Sequence, residues 1–355
     1  MMAQNNSSTC TIKSQPFGTI DGRQAILWTL TNQAGMQVSI MDFGATITSL
    51  CLPNQQQQLI ECVLGFNRAE DYASAEYRRN NPHLGAIIGR HAGRIGYAKA
   101  PLQQQMLHLS ANIQEHHLHG GHSGFDQHWW QPENIEVTEQ SAALTLHLFS
   151  PDGDEGYPGN LHVWVKYTLT NQNELKVNLR AHCDQNTLLN LTQHSYFNLS
   201  ASDDHVSKQQ LWLDAQKMIV TDHQMMPTGE LGQIPFNLDF NHERPIGNNI
   251  IDTAYILPEK RADEAIVARL TAPDTGFSLA VSTDLPVMVV YNAEHLPYQR
   301  VNQRKSLQPF AAICFEPQGY TDAPNHSAFP NNILKKGDNF ERNINYIFAF
   351  PDATR

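Results

Sequence analysis

The sequence has few charged side chains and no long apolar run. Charged residues make up 17% of 355 residues, and 24 Lys and Arg face 35 Asp and Glu, which gives a formal net charge of -11. An acidic surface repels nucleic-acid phosphates and anionic lipids, so neither is an expected partner. No stretch approaches the roughly 18 apolar residues that span a bilayer, so no membrane segment is predicted.

Cysteines are also scarce, odd in number and without a C-x-x-C pair. The five are Cys10, Cys51, Cys62, Cys183 and Cys314. This spacing supports neither a disulfide framework nor a cysteine zinc site, and it indicates reduced thiols. Segment 1–15 is polar and lacks the apolar core of a secretory signal. We therefore expect a cytoplasmic protein.

Helical periodicity is rare, and alternation of apolar and polar residues dominates the chain. Segments 143–149, 161–169 and 174–180 place apolar side chains at every second position, as half-buried antiparallel strands require. The polar stretch 170–173 predicts a hairpin turn between the last two. Further strands are predicted at 36–40, 278–282, 287–291 and 313–315, and a short helix at 68–77.

The distribution of prolines and glycines along the chain supports one fold class. The 19 prolines and 21 glycines are scattered, so they mark many turns and no interdomain linker. No internal repeat is found, and hydrophobic residues, at 41%, are sufficient for a large core. The prediction is an all-β protein, a large antiparallel β-sandwich, with a single domain over residues 1–355.

Segment 89–95 (GRHAGRI) is rich in glycine and carries two arginines. It matches neither G-x-x-x-x-G-K-[ST] nor G-x-G-x-x-G, so it does not indicate nucleotide binding. An arginine beside glycine can donate to a ligand hydroxyl, or it can simply lie in a surface turn. Both interpretations stay open at this point.

Segment 116–122 (HHLHGGH) contains four histidines. Imidazole is a common zinc ligand, but the spacing matches neither H-E-x-x-H nor a zinc finger. A histidine loop flanked by glycines also suits hydrogen bonding to a sugar. The acidic loop 151–160 fails the calcium-loop template and is predicted to be a turn between strands.

Two strand-like segments carry isolated titratable groups. His194 lies among strand-forming residues in 190–199, where a histidine is either a core residue or a catalyst. Glu316 directly follows an apolar run and precedes Pro317. A carboxyl at the inner end of a buried strand is partly desolvated, which raises its pKa and suits a general base. The alternative is a strand-end glutamate in water. No G-x-S-x-G motif supports a serine hydrolase.

Five motifs in one order resemble the aldose 1-epimerase (galactose mutarotase) family. They extend over much of the chain, from about Phe43 to Asn325. Segment 89–95 is similar to the family's G-R-x-x-N-R-I, 118–121 to L-H-G-G, 152–159 to D-G-x-x-G-Y-P-G, 190–198 to N-x-T-x-H-x-Y-F-N and 314–325 to C-x-E-x-Q-x-x-P-D-A-x-N. The resemblance implies a galactose mutarotase-like supersandwich with an open sugar cleft.

The resemblance also implies roles for particular residues. Glu316 would be the general base and His194 the general acid that together open and close the ring of a D-galactose- or D-glucose-type hexose. The groups implied to contact the sugar are Arg94, His119, Asp252, Ser195 and Tyr196. No cofactor and no metal are implied, and a monomer or homodimer is expected. Where the family reads D-H-x-F, this sequence has Asp252-Thr253-Ala254-Tyr255, so the sugar preference stays open.

Three alternatives remain at the level of sequence. An epimerase for a hexose 6-phosphate would share the fold and would need additional basic residues at the cleft. A non-catalytic sugar-binding module would also share it, because a fold does not determine a function. A metal-dependent enzyme would use the histidines of 116–122.

Overall fold

Strands account for most of the regular structure in the computed structural model, which describes residues 9–202, 205–297 and 307–351. Residues 1–8 of the polar N-terminal segment lie outside this part. The one α-helix of the described residues is α1 (Ala75–Asn80), and the 3₁₀ turns are Ala69–Ala73, Gly96–Ala98, Phe125–Gln127, Asp154–Gly156, Val206–Lys208, Phe236–Leu238 and Ala323–Asn325. Among the described residues, no helix has the length and apolar character needed to cross a membrane.

The strands are numbered in chain order. The first are β1 (Thr11–Ile20), β2 (Arg23–Thr31), β3 (Gln37–Met41), β4 (Thr46–Pro53), β5 (Leu59–Glu61), β6 (Ile87–Ile88), β7 (Arg94–Ile95), β8 (Lys99–Leu102) and β9 (Gln105–His108). Next come β10 (His117–Leu118), β11 (Gln131–Val137), β12 (Ser141–Ser150), β13 (Leu161–Thr170), β14 (Glu174–Cys183), β15 (Thr187–Leu188), β16 (Thr192–Gln193) and β17 (Tyr196–Phe197). The last are β18 (Gln210–Leu213), β19 (Lys217–Thr221), β20 (Pro227–Gly232), β21 (Arg244–Pro245), β22 (Asp252–Ile256), β23 (Ile266–Thr271), β24 (Ser278–Thr283), β25 (Val287–Tyr291), β26 (Ile313–Gln318), β27 (Ile333–Leu334) and β28 (Asn339–Ala349).

Three large sheets organise these strands. The nine-stranded sheet has the order β11-β12-β13-β14-β28-β24-β23-β18-β21, the six-stranded sheet β17-β26-β25-β22-β19-β20, and the five-stranded sheet β1-β2-β3-β4-β5. Short ladders join β7 to β10 and β6 to β16. The strand pairs of the described residues are antiparallel, which confirms the predicted all-β sandwich class.

The predicted elements are found close to their expected bounds. The alternating segments 143–149, 161–169 and 174–180 fall within β12, β13 and β14, and β13 and β14 pair as the predicted hairpin, with Leu169 opposite Leu175. The region 68–77 contains a 3₁₀ turn and then α1, which begins at Ala75 and ends at Asn80. The helical prediction there was right in kind but began too early.

One hydrophobic cluster packs the large sheets together. It contains Trp28 of the five-stranded sheet, Leu146 of the nine-stranded sheet and Phe315 of the six-stranded sheet. Burying each such side chain contributes about 1.5–3 kcal/mol. In β26 the side chains of Ile313 and Phe315 face this core. Since strand side chains alternate between faces, Glu316 faces the opposite side of the sheet.

Candidate active site

The floor of a cleft is formed by the face of the six-stranded sheet that points away from the core. Ala254 on β22 pairs with Val289 on β25, which in turn pairs with Glu316 on β26. Directly paired residues of antiparallel strands share a face, and all three line a cleft of about 250 Å³. This is slightly below the roughly 300–1,000 Å³ of pockets for drug-sized ligands, which suits a smaller ligand.

One wall of the cleft is built by the short ladder of β7 and β10. Arg94 begins β7 and pairs with Leu118, so the next residue, His119, reaches the same region. His119 has a positive φ of 52°, and its Nδ1 accepts a 3.3 Å hydrogen bond from the amide of Gly93. Both Arg94 and His119 line the cleft. The ladder therefore brings together two motifs that are separated in sequence.

His194 stands opposite this wall and is held by the backbone on both sides. Its amide donates to Ala86 O at 2.9 Å, and its carbonyl accepts from the Gly85 amide at 2.9 Å. The imidazole stacks on the Tyr196 ring, with centroids 5.0 Å apart and an interplanar angle of 18°. The Tyr196 hydroxyl donates to Pro82 O at 2.8 Å. These contacts hold the His194 backbone in place and keep its ring against the Tyr196 ring.

The central pair of the cleft is His194 and Glu316. His194 Nε2 lies 3.5 Å from Glu316 Oε1, and the two residues are only 4% and 2% exposed. His194 Nδ1 and Glu316 Oε2 are buried without a hydrogen-bond partner among the described residues. An unpaired buried polar atom costs about 1–3 kcal/mol, so such a pair is expected where a ligand supplies the missing contacts.

Burial has the largest effect on the pKa values of the carboxyl groups in the cleft. It raises the pKa of Glu316 well above the ordinary value, the negative charge of Asp252 raises it further, and Arg94 opposes both effects. Burial likewise raises the pKa of Asp252, and the nearby Arg94 and His295 oppose this effect. Arg94 therefore lies close enough to act on both carboxyl groups, and Glu316 has the raised proton affinity typical of a general base.

The pKa values of the imidazoles in the cleft are lowered instead of raised. Burial, together with a smaller contribution from the neighbouring His83, lowers the pKa of His194 to about 3. Burial also lowers the pKa of His119, with smaller contributions from His83 and His194. The sugar-free cleft thus favours neutral imidazoles beside a carboxyl group with raised proton affinity.

Ligand atoms of His119, His194 and Glu316 lie within 4.8 Å of one another, which is close enough to share a divalent cation. The other histidines of 116–122 make different contacts. Their partners are Tyr97 N for His116 Nδ1, Tyr157 OH and Ser110 O for the two nitrogens of His117, and Ala111 O for His122 Nε2. In the described residues these histidines do not converge with His119.

The structure brings most of the predicted site residues into one cleft. The cleft is lined by Arg94, His119, His194, Tyr196, Asp252 and Glu316. Ser195 is not among the lining residues, and its Oγ lies 2.9 Å from the donating Nε2 of Gln193. Arg90, the second arginine of segment 89–95, is buried and donates to Ser150 Oγ and Pro151 O. The functional roles of the lining residues stay predictions.

Sequence reasoning missed several residues of the cleft wall. His83, Tyr291 and Gln318 all line it. Tyr291 and Gln318 lie on β25 and β26, so the alternation that places Glu316 in the cleft could have found them. His83 precedes the glycine-rich segment and belongs to none of the motifs, so no sequence signal pointed to it.

Comparison with known proteins places the chain in its class. Residues 27–346 match the family model described as aldose 1-epimerase. The chain is 33% identical to the aldose 1-epimerase of Haemophilus influenzae, covering 93% of this chain and 97% of that one. It is 31% identical to the human galactose mutarotase, covering 88% and 91%. The crystal structure of galactose 1-epimerase from Lactobacillus acidophilus has a TM-score of 0.83 at 26% identity and covers 96% of this chain and 99% of that one.

The fold and the cleft define a carbohydrate epimerase of the galactose mutarotase-like β-sandwich class. The match extends over most of the sequence and includes the predicted motifs. The chain belongs to the aldose 1-epimerase family.

Proposed function

We propose that the chain interconverts the α and β anomers of free hexoses of the D-galactose and D-glucose type. The observation that carries this proposal is the buried pair of Glu316 and His194, 3.5 Å apart at the base of a cleft. Anomer exchange needs one group that takes a proton and one that gives a proton at neighbouring sugar oxygens. A carboxyl and an imidazole at this separation suit that task.

The proposed reaction begins with a carboxylate at Glu316 and an imidazolium at His194. Glu316 takes the proton of the C1 hydroxyl while His194 protonates the ring oxygen, the bond between C1 and the ring oxygen breaks, and C1 becomes a carbonyl carbon. Rotation about the C1–C2 bond then presents the other face of the carbonyl. The reverse transfers close the ring, and both groups return to their starting states.

The reaction needs one proton in total on the two side chains. Burial raises the pKa of Glu316 and lowers that of His194, so the sugar-free pair favours a proton on the carboxyl. Transfer of this proton across the 3.5 Å gap yields carboxylate and imidazolium without any change in proton count. The two groups therefore titrate as one unit, and sugar binding selects the reactive arrangement.

Charged groups around the pair would hold the sugar. Arg94, His119 and Asp252 line the cleft and can bond to hydroxyl groups, and Tyr196 supports the His194 ring. In this proposal Ser195 acts through its hydrogen bond with Gln193. A hexose 6-phosphate is not favoured, because Arg94 already faces two carboxyl groups, and the buried acid–base pair argues against a purely binding module.

We further propose a role in hexose metabolism in the cytoplasm, as a monomer or homodimer without a nucleic-acid partner. Five free cysteines suit a reducing compartment. The net charge of -11 disfavours binding to phosphate backbones.

Polarimetry tests the proposed function directly. Freshly dissolved α-D-galactose and α-D-glucose should lose optical rotation faster with the protein than in buffer alone, in proportion to protein concentration. An unchanged rate with both sugars would contradict the proposal. The same assay after exhaustive chelation tests a cation at His119, His194 and Glu316: undiminished turnover supports acid–base chemistry by the side chains alone.

A further inference from the structure

His83 is a cleft residue that the proposed reaction does not use. It is 6% exposed and lines the cleft beside Asn81 and Pro82. Its φ of 54° lies in the left-handed region, which is uncommon for residues other than glycine and is often found at functional sites. Its loop is joined to the catalytic pair, because Tyr196 bonds to Pro82 O and His194 bonds to Ala86 and Gly85.

A buried carboxylate orients the His83 ring. His83 Nδ1 lies 3.0 Å from Asp126 Oδ2, and the same oxygen accepts from Asn81 Nδ2 at 2.9 Å and Gln127 Nε2 at 3.0 Å. Burial alone would raise the pKa of Asp126, but His83 and the amide donors lower it to about 2, so the group is ionised. His83 Nδ1 therefore carries a proton and donates to Asp126.

The opposite edge of the ring, at Nε2, has no hydrogen-bond partner among the described residues. A sugar hydroxyl can donate to this nitrogen or accept from it, so a contact is possible in either charge state of the imidazole. Burying a carboxylate costs free energy unless it gains hydrogen bonds, and a buried carboxylate whose histidine partner borders a ligand cleft is a candidate for recognition.

His83 is a neighbour of His194 but does not belong to the set of groups that converge with Glu316. Among the described residues, ligand atoms of His119, His194 and Glu316 lie within 4.8 Å of one another, and His83 is outside that set. The His83 ring is 6.0 Å from the His194 ring and 4.9 Å from the His119 ring. The pKa of His194 responds to His83, whereas that of Glu316 responds to Asp252 and Arg94.

The order of atoms in a pyranose ring indicates which part of the sugar would lie beside His83. The ring oxygen is bonded to C1 on one side and to C5 on the other, and C5 carries the C6 hydroxymethyl group. With His194 at the ring oxygen and Glu316 at C1, a group that neighbours His194 and is outside the set around Glu316 is best placed to meet C5 and C6. We infer that His83, oriented by Asp126, binds the C6 hydroxyl and selects sugars that carry it. This inference rests on the proposed function.

The test compares sugars that differ only at C6. 6-Deoxy-D-galactose lacks the C6 hydroxyl, and L-arabinose keeps the galactose ring configuration without C6. The wild type should show kcat/KM roughly tenfold to a hundredfold higher for D-galactose than for either, since both of the other sugars lack the hydroxyl that would bond to His83. Equal kcat/KM values would overturn the inference and leave the proposed function intact. Failure to mutarotate any sugar would contradict the function itself.

A variant then assigns the selectivity to one side chain. His83→Phe should lower kcat/KM for D-galactose to about the level of 6-deoxy-D-galactose and change the deoxy sugar within roughly threefold. A purely structural role would lower both alike and would overturn the inference. His147→Phe, the same substitution on the outer face of β12, is the control and should preserve the preference. If His83→Phe fails to fold by circular dichroism, His83→Ala takes its place, with the same expected loss of preference for D-galactose.

Discussion

Two groups of three histidines lie in different parts of this molecule, and only one belongs to a candidate site. The cleft group consists of His83, His119 and His194, with ring centroids 4.9, 5.4 and 6.0 Å apart. The other lies on the outer face of the nine-stranded sheet and consists of His147, His162 and His182, with neighbouring centroids 5.2 and 5.1 Å apart. Ring spacing alone does not distinguish them.

The two groups differ in burial and in their acidic neighbours. In the cleft, buried Asp126 and Glu316 lie within 3.0 Å of His83 and 3.5 Å of His194, and residues that line the cavity carry buried polar atoms without a partner among the described residues. On the outer face, His147 Nε2 and His162 Nδ1 satisfy each other at 2.9 Å. A histidine cluster therefore becomes a candidate catalytic site when a cavity and a desolvated carboxyl accompany it.

Of the substitutions considered, Glu316→Gln should reduce kcat the most. It removes the proposed base while keeping the shape of the side chain, so the protein should fold normally. We expect kcat to fall by about 10³–10⁴-fold, toward the upper end of the contribution of a positioned base. Polarimetry with subtraction of the spontaneous rate measures this loss. Retention of wild-type turnover would show that Glu316 is not the base.

His194→Asn should reduce kcat by about 10²–10³-fold, because the ring oxygen loses its proton donor. The double variant with Glu316→Gln gives a sharper measurement. If the two groups act as one unit, its loss should be close to that of Glu316→Gln alone. Losses that multiply would indicate two independent contributions and would contradict a shared proton.

The sequence predicted the fold class and six residues of the cleft, for identifiable physical reasons. The alternation of apolar and polar residues indicates which face of a strand is buried. Strand segments such as 161–169 were therefore predicted with nearly the right bounds. The motifs around Arg94 and His194 carried the site. His83 was not predictable, because its role depends on a 3.0 Å contact with Asp126, which is 43 positions away in sequence. Spacing alone did not separate His119 from the other three histidines of 116–122; its resemblance to the L-H-G-G motif did.

The variant His91→Val tests the effect of burial on a histidine that does not line the cleft. His91 is fully buried, and burial lowers its pKa to about 3. Because this folded-state pKa is below the unfolded value of about 6.5, the stabilising contribution is present above pH 6.5 and is lost as the pH falls toward 3. Between pH 7 and pH 5 the wild type should therefore lose about 2 kcal/mol more stability than the variant. Urea unfolding at both pH values measures the difference, and equal losses would show that His91 is not responsible.

The outer histidines should give the smallest effect. In a His147→Gln/His162→Gln double variant, the 2.9 Å contact between the two rings is lost, but both positions are partly exposed and neither lines the cleft. We expect kcat/KM within about twofold of wild type and a change in unfolding free energy within about 0.5 kcal/mol, as is usual for surface positions. A tenfold loss of activity would mean that the outer face affects the cleft through the β12–β14 strands. In that case, burial beside a carboxyl group would not be enough to tell the functional histidines from the outer ones.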